Sequence, residues 1–283
     1  MRSKDFPRPE IGAGSQCIKR AFPFRLGTTS YILPAGIMSN LRYLQGRIDD
    51  VELVLFESDT LSNLPSPDEM EEMARLKEAG DLTYTVHLPL DIRLGSADEA
   101  ERTASMGKCR RVIERMEAVQ PLAWILHLHG DRRGDPPSDD LARWNAQNRR
   151  SLEELFSTGP APQTICVETL DYDFALVEAL VDEFNLSVCL DIGHLLVTRR
   201  NVAAHLDRCL DRTRVFHVHG VTSEGTDHVN LGHLPEGLLE DLADRLIRTP
   251  RANARVMTME VFGVDDFERS MRTVAERLAQ WQK

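Results

Sequence analysis

The sequence lacks several features that mark common protein classes. Its five cysteines are odd in number and form no C-x-x-C pair. Neither a disulfide framework nor a zinc knuckle is predicted, and a reducing, cytoplasmic location is expected. No apolar run approaches the roughly 20 residues of a membrane span. Residues 1–22 lack the apolar segment of a signal peptide. We therefore expect neither secretion nor a membrane partner.

Basic residues are also in short supply. The 34 lysines and arginines are outnumbered by 45 acidic residues, which gives a net charge of −11. Nucleic-acid-binding proteins usually present a basic face, so we expect no nucleic-acid partner. Hydrophobic residues make up 42% and charged residues 28% of the chain, as in ordinary globular proteins. Bound cations can balance part of the excess acid.

A repeated strand and helix pattern predicts the fold. Eight short runs rich in Val, Ile, Leu and Thr are each followed by a segment with helical spacing, such as Ala97–Val119. Eight such units predict a single (β/α)₈ TIM barrel over residues 23–283, preceded by a flexible tail at residues 1–22. The predicted strands are Arg25–Tyr31, Val51–Glu57, Thr83–Leu88, Trp124–His129, Thr164–Glu168, Ser187–Asp191, Val215–His219 and Val256–Phe262.

The alternative fold is an open, doubly wound sheet. Such a sheet normally carries a glycine-rich turn after its first strand. Leu26-Gly27-Thr28-Thr29 does not match the G-x-G-x-x-G pattern of that turn. The barrel is therefore the preferred prediction.

Metal-type ligands concentrate at the carboxyl ends of the predicted strands, where barrel enzymes place their chemistry. Three carboxylates that converge in a barrel interior would repel one another unless cations neutralised them. Salt bridges to barrel arginines are the alternative. Mixed histidine and carboxylate ligation suits Zn²⁺, Mn²⁺, Fe²⁺ or Co²⁺. The strand-end residues are His87, His127, His129, Glu168, Asp191, His194, His217, His219 and Glu260, with His228 in the loop after strand seven.

These residues resemble the xylose-isomerase-like barrel superfamily, which includes sugar isomerases and epimerases and the endonuclease IV type of DNA-repair enzyme. The shared pattern is a Glu ending strand five, Asp-x-x-His ending strand six, a His on strand seven and a Glu on strand eight. This chain supplies Glu168, Asp191-Ile192-Gly193-His194, His217 and Glu260 in that order. The resemblance implies that Glu168, Asp191, His217 and Glu260 are metal ligands.

The hydrolytic branch of that superfamily adds histidines at strand three, at strand four and after strand seven. His87, His127 or His129, and His228 match these positions, which implies one to three metal ions. One departure is that Asp227 directly precedes His228, whereas the branch carries Asp-x-His. Asp227 is therefore not carried over as a ligand.

Longer segments are similar to the bacterial cobamide-remodelling phosphodiesterases, which belong to this superfamily. The segments are Phe24–Ile32, Val51–Glu57, Thr83–Asp91 and Cys189–Leu196. The resemblance implies hydrolysis of the phosphoribosyl linkage in the nucleotide loop of a cobamide, a small-molecule corrinoid substrate. His194 then ligates or carries a proton, Glu57 orients water or meets substrate, and Tyr31 and Asp91 are candidate substrate contacts. For Glu57, a salt bridge at the barrel rim is the alternative.

Three other functions use the same residues. A sugar isomerase or epimerase needs only the four shared ligands and leaves the extra histidines unexplained. A DNA-repair endonuclease conflicts with the net charge of −11. A non-enzymatic corrinoid- or sugar-binding barrel has no need for a full ligand set. The sequence leaves the identity and number of the metals and the oligomeric state open.

Overall fold

Eight parallel strands close into one barrel in chain order, and the last strand pairs with the first. The predicted (β/α)₈ fold is confirmed. The computed structural model describes residues 18–58, 60–157, 159–249 and 254–282. The strands are β1 Arg25–Thr29, β2 Asp50–Val54, β3 Thr83–His87, β4 Ala123–Leu126, β5 Ile165–Glu168, β6 Ser187–Asp191, β7 Thr213–Val218 and β8 Val256–Met259.

Helices connect the strands. The sequence sets their first turns, as where Ser66 and Glu69 form a reciprocal capping box around Pro67. The helices are α1 Ile37–Leu44, α2 Pro67–Gly80, α3 Glu99–Met116, α4 Leu141–Phe156, α5 Ala175–Glu183, α6 Ile192–Val197, α7 Val202–Cys209, α8 Leu238–Arg248 and α9 Val264–Arg277. None of those in the described part of the chain has the length and apolar character needed to cross a bilayer.

Several strands end earlier than predicted. The runs predicted to reach Glu57, His129 and Phe262 stop pairing at Val54, Leu126 and Met259. The residues that follow include buried ones such as Leu128 and Val261. An apolar pattern reports burial, whereas strand pairing requires a neighbouring backbone, so the pattern continues past the last hydrogen-bonded residue.

The barrel interior contains buried polar side chains near the amino ends of β2 and β3, an apolar patch contributed mainly by β4 to β7, and polar side chains at the carboxyl ends of the strands. Small and branched side chains fill the middle of the interior, among them Ile125, Cys166, Cys189 and Val215. Two residues further along β4, β5 and β6, the same inward direction carries His127, Glu168 and Asp191. His127, Glu168 and Asp191 therefore lie at the carboxyl end of a closed, packed interior.

Part of the predicted tail packs against the barrel. Ile18 and Phe22 are buried, with 1% and 3% of their surface exposed. The backbone N–H of Arg20 donates to Asp49 just before β2, at 2.8 Å. Residues 18–22 are therefore not part of a flexible tail, because two apolar side chains hold them on the barrel. Residues 1–17 lie outside the described residues.

Asp50 is a buried acid at the start of β2, and it gives a testable prediction. Its carboxylate accepts hydrogen bonds from Thr83 and Thr85 at 2.6 and 2.8 Å. Burial nevertheless raises the pKa of Asp50 from 3.8 to about 6. The folded state therefore binds the Asp50 proton more tightly than the unfolded state does. As the pH rises from about 4 to about 6, ionisation of Asp50 lowers the free energy of unfolding, and this loss of stability is complete above pH 6.

We therefore expect Asp50→Asn to raise the free energy of unfolding by about 1–3 kcal/mol at pH 7.5. The gain should shrink below pH 6 and vanish near pH 4. Urea denaturation of the metal-free protein at a series of pH values measures it. Asp211→Asn, at an exposed position, is the control and should change stability little. A destabilised Asp50→Asn at pH 7.5 would contradict the prediction.

Candidate metal centre

Four buried side chains converge at the carboxyl end of the barrel. Glu168 ends β5, Asp191 ends β6, His217 lies on β7, and Glu260 follows β8. One ligand atom from each lies within 4.8 Å of those of the other three. His217 Nδ1 is 3.2 Å from Glu260 Oε2 and 3.5 Å from Glu168 Oε1. We call these four residues the first group.

A second group shares Glu168. His127 Nε2 lies 2.8 Å and His87 Nε2 lies 3.3 Å from Glu168 Oε2. Glu168 Oε1 meanwhile faces the first group. The carboxylate of Glu168 therefore stands between the two groups, with one oxygen directed at each. Glu168 would therefore be able to help hold a cation in either group.

Hydrogen bonds fix which nitrogen each histidine of the second group presents. His87 Nδ1 donates to the Leu88 carbonyl at 2.7 Å, and His127 Nδ1 lies 3.1 Å from His129 Nε2. Histidines that bind metals usually donate their other N–H to such an acceptor. Both Nε2 atoms are thereby left to face Glu168. The structure thus places His127 in the group, and His129 behind it.

Three histidines form a third group: His194, His219 and His228. The backbone N–H of His228 donates to His219 Nδ1 at 3.0 Å, so His219 Nε2 is directed at Asp191, 3.4 Å away. The ring of His219 fits against Gly193, where a Cβ would come within 2.1 Å of it. The sequence placed His219 at a strand end but gave no reason to assign it as a ligand. Asp227 Oδ2 lies 3.9 Å from His228 Nε2, and Asp227 is not a member of this group.

In the centre, neighbouring charged groups outweigh burial in setting the pKa values of Glu168 and His194. Burial by itself would raise the pKa of Glu168, but His127 and His217 outweigh it and hold the pKa well below its usual range. Burial likewise opposes the charge on His194, but Asp191 and Glu168 raise the pKa of His194 to about 9. Burial lowers the pKa of His129 to about 4. His129 is therefore neutral near pH 7, and its Nε2 is able to accept a hydrogen bond from His127 Nδ1.

Several ligand atoms in the centre are buried and have no hydrogen-bond partner among the described residues. Three of them, Asp191 Oδ2, His217 Nδ1 and Glu260 Oε2, belong to the first group, and His219 Nε2 belongs to the third. A buried polar atom without a partner costs free energy. A divalent cation would satisfy the three atoms of the first group at once, and the mix of imidazole and carboxylate donors suits Zn²⁺, Mn²⁺, Fe²⁺ or Co²⁺. The residues therefore fit a metal site.

The structure gives the remaining predicted site residues other partners. Glu57 forms an ion pair with Arg111 at 2.7 Å, the alternative considered from sequence. Asp91 pairs with Lys108 and is largely exposed. The Tyr31 hydroxyl accepts from Asn63 at 3.2 Å. Neither Glu57 nor Asp91 belongs to a metal-type group in the described residues.

Sequence reasoning also missed Glu52. This residue is fully buried on β2, and its Oε2 accepts from His217 Nε2 at 2.8 Å. Glu52 lies two residues before the end of its strand, whereas the predicted ligands lie at strand ends. A charged residue amid Val51, Leu53 and Val54 was the available signal.

Comparison with known proteins agrees with the barrel fold. A family model described as xylose isomerase-like TIM barrel matches residues 48–281. No curated protein matches the chain. Among solved structures, a D-tagatose 3-epimerase-like protein superposes with a TM-score of 0.69 at 18% identity, over 90% of this chain and 97% of the other.

Two further structures have similar scores. Endonuclease IV from Thermus thermophilus gives a TM-score of 0.65 at 21% identity, over 90% of this chain and 99% of the other. The E. coli 3-keto-D-glucoside 4-epimerase YcjR gives 0.65 at 18% identity, over 89% and 98%. At such identities the likeness establishes the fold alone.

Proposed function

Because the chain belongs to the xylose isomerase-like TIM barrel family, we propose that it is a metal-dependent phosphodiesterase that cleaves the phosphoribosyl linkage in the nucleotide loop of a cobamide. The reaction adds water across one P–O bond of the phosphodiester. One product retains the phosphate, and the other leaves with the released hydroxyl group. The proposal joins the observed centre to the sequence likeness to cobamide-remodelling phosphodiesterases.

The shared position of Glu168 is the observation that carries the proposal. One of its oxygens faces His87 and His127, and the other faces His217. Ligand groups joined by one carboxylate are typical of centres that hold two metal ions for phosphoester hydrolysis. We propose two ions, one in each group. A centre with one ion would leave the His87 and His127 nitrogens without a role.

The ions would supply Lewis-acid stabilisation of the phosphoryl oxygens and would make water more acidic. His194 is suited to hold the proton that the leaving oxygen requires. Its side chain is 26% exposed, so it reaches the solvent side of the centre, and its Nδ1 lies 3.1 Å from Asp191 Oδ2. The acids that raise the pKa of His194 to about 9 keep that proton in place near pH 7.

The surface around the barrel mouth favours a substrate larger than a free sugar. The exposed large hydrophobic residues of the described chain are Leu61, Leu90, Val197 and Phe262. All four follow strands, in the segments after β2, β3, β6 and β8. Phe262 also packs edge-on against His228, with ring centroids 5.4 Å apart. We propose that these side chains contact the apolar surface of a large ligand.

A sugar or sugar-phosphate isomerase or epimerase is the second candidate. The first group alone provides the four ligands that such a reaction shares, and two of the similar structures are an epimerase and an epimerase-like protein. That function needs only the ligands of the first group. The second group of ligands is the feature that it does not explain.

The test incubates the metal-reconstituted protein with an adenosylated cobamide and separates the corrinoid products. We expect cobinamide phosphate or cobinamide to form, and a Glu168→Gln protein to form neither. The same protein is incubated with an abasic DNA duplex and with ketohexoses. No corrinoid product from wild type, together with duplex cleavage or sugar epimerisation, would reject the proposal.

A further inference from the structure

Glu52 is a fourth buried carboxylate beneath the two metal-type groups. It lies in the middle of β2, and none of its surface is exposed. One of its oxygens, Oε1, has no hydrogen-bond partner among the described residues. Burying a carboxylate in this way costs free energy unless a nearby positive charge, such as a bound cation, offsets it.

The contact that Glu52 makes crosses the barrel interior. In the closed barrel, β8 and β1 lie between β7 and β2. Glu52 Oε2 nevertheless reaches His217 Nε2 at 2.8 Å. The contact therefore does not arise from neighbouring strands, and it requires both side chains to point inward at the same height.

The two nitrogens of His217 face different surroundings. Nε2 meets Glu52, and Nδ1 meets Glu260 Oε2 at 3.2 Å and Glu168 Oε1 at 3.5 Å. A carboxylate is only an acceptor, so Nε2 carries the proton of the Glu52 hydrogen bond. In the neutral ring, Nδ1 is then the lone-pair nitrogen, and it is directed at the first group.

We propose that Glu52 is a positioning residue of the metal centre: it holds His217 with its proton on Nε2, directs Nδ1 to the metal, and strengthens metal binding by its charge. A carboxylate behind a metal-binding histidine fixes the ring orientation and makes the ligand more basic. With Glu52, the centre contains four carboxylates, the others being Glu168, Asp191 and Glu260. When all four are ionised, their four negative charges would balance the four positive charges of two divalent cations.

The inference rests on the proposed metal centre but not on its substrate. Its test therefore uses Co²⁺ alone, titrated against a competing chelator, together with the visible spectrum of the cobalt-loaded protein. We expect Glu52→Gln to weaken Co²⁺ binding about 10-fold and Glu52→Leu about 100-fold, with a changed spectrum. Asp50→Asn is the matched control, because Asp50 is a buried acid on the same face of β2. It should bind Co²⁺ like wild type.

Stability without metal separates this role from a merely structural one. Because glutamine keeps an oxygen that can accept from His217 Nε2, metal-free Glu52→Gln should stay folded and unfold within a few degrees of wild type, so that weaker Co²⁺ binding is not a folding defect. Wild-type cobalt affinity and spectrum in Glu52→Gln would overturn the inference. So would an unstable metal-free Glu52→Gln protein. Absence of Co²⁺ binding by wild type would instead reject the metal centre itself.

Discussion

Replacing Glu168 with glutamine is expected to lower cobamide cleavage by roughly 10³-fold or more, because both ligand groups lose the carboxylate they share. The glutamine keeps the shape of the side chain, but its amide nitrogen cannot bind a cation. One Glu168 oxygen lies 2.8 Å from His127 Nε2 and the other 3.5 Å from His217 Nδ1. The loss should appear in kcat, together with a lower metal content.

Steady-state rates and elemental analysis of the same preparations measure both effects. Glu183→Gln is the matched control, since Glu183 pairs with Arg149 on the surface. It should keep wild-type rate and metal content. A Glu168→Gln protein that retains both its metal and a rate within about tenfold of wild type would contradict the account.

Replacing His127 with alanine is expected to lower activity by roughly 10²-fold and to remove about one metal ion per chain. His127 Nε2 faces Glu168 at 2.8 Å, and the second group has only His87 as its other histidine among the described residues. His129→Ala should have a smaller effect, about 10-fold, because His129 Nε2 contacts His127 Nδ1 on the side away from Glu168. His129→Ala should retain both ions.

His205→Ala serves as the control for histidine removal, since His205 lies on α7 and its Nδ1 faces the carbonyl of Asn201. Metal analysis and rates of the three variants are compared. The reverse order, with His129→Ala losing an ion and His127→Ala keeping it, would show that His129 is the ligand.

The sequence was sufficient for the fold and for most of the centre. The repeated strand and helix pattern predicts the eight strands, and the carboxyl ends of parallel strands meet at one end of a barrel. Glu168, Asp191, His217 and Glu260 could therefore be expected together before any coordinates. His87 and His127 followed from the same reasoning, although His129 could not be separated from His127. Both point to the same side of a strand at a spacing of two.

The rest depends on distances that a linear pattern does not contain. Glu52 reaches His217 across the barrel, from strands separated by two others. His219 enters the third group because Gly193 leaves room for its ring. Glu57 lies at the carboxyl end of the barrel, where a site residue is expected, but its carboxylate forms an ion pair with Arg111 of α3. In each case the decisive partner comes from a segment remote in sequence.

The most direct test of the account is the number and place of metal ions in a crystal of the metal-reconstituted protein, read from anomalous scattering at the metal edge. We predict two peaks, one on each side of the Glu168 carboxylate and about 3.5–4 Å apart. One peak is expected near His217 and the other near His87 and His127. A single peak within the first group, or no peak at the centre, would contradict the account.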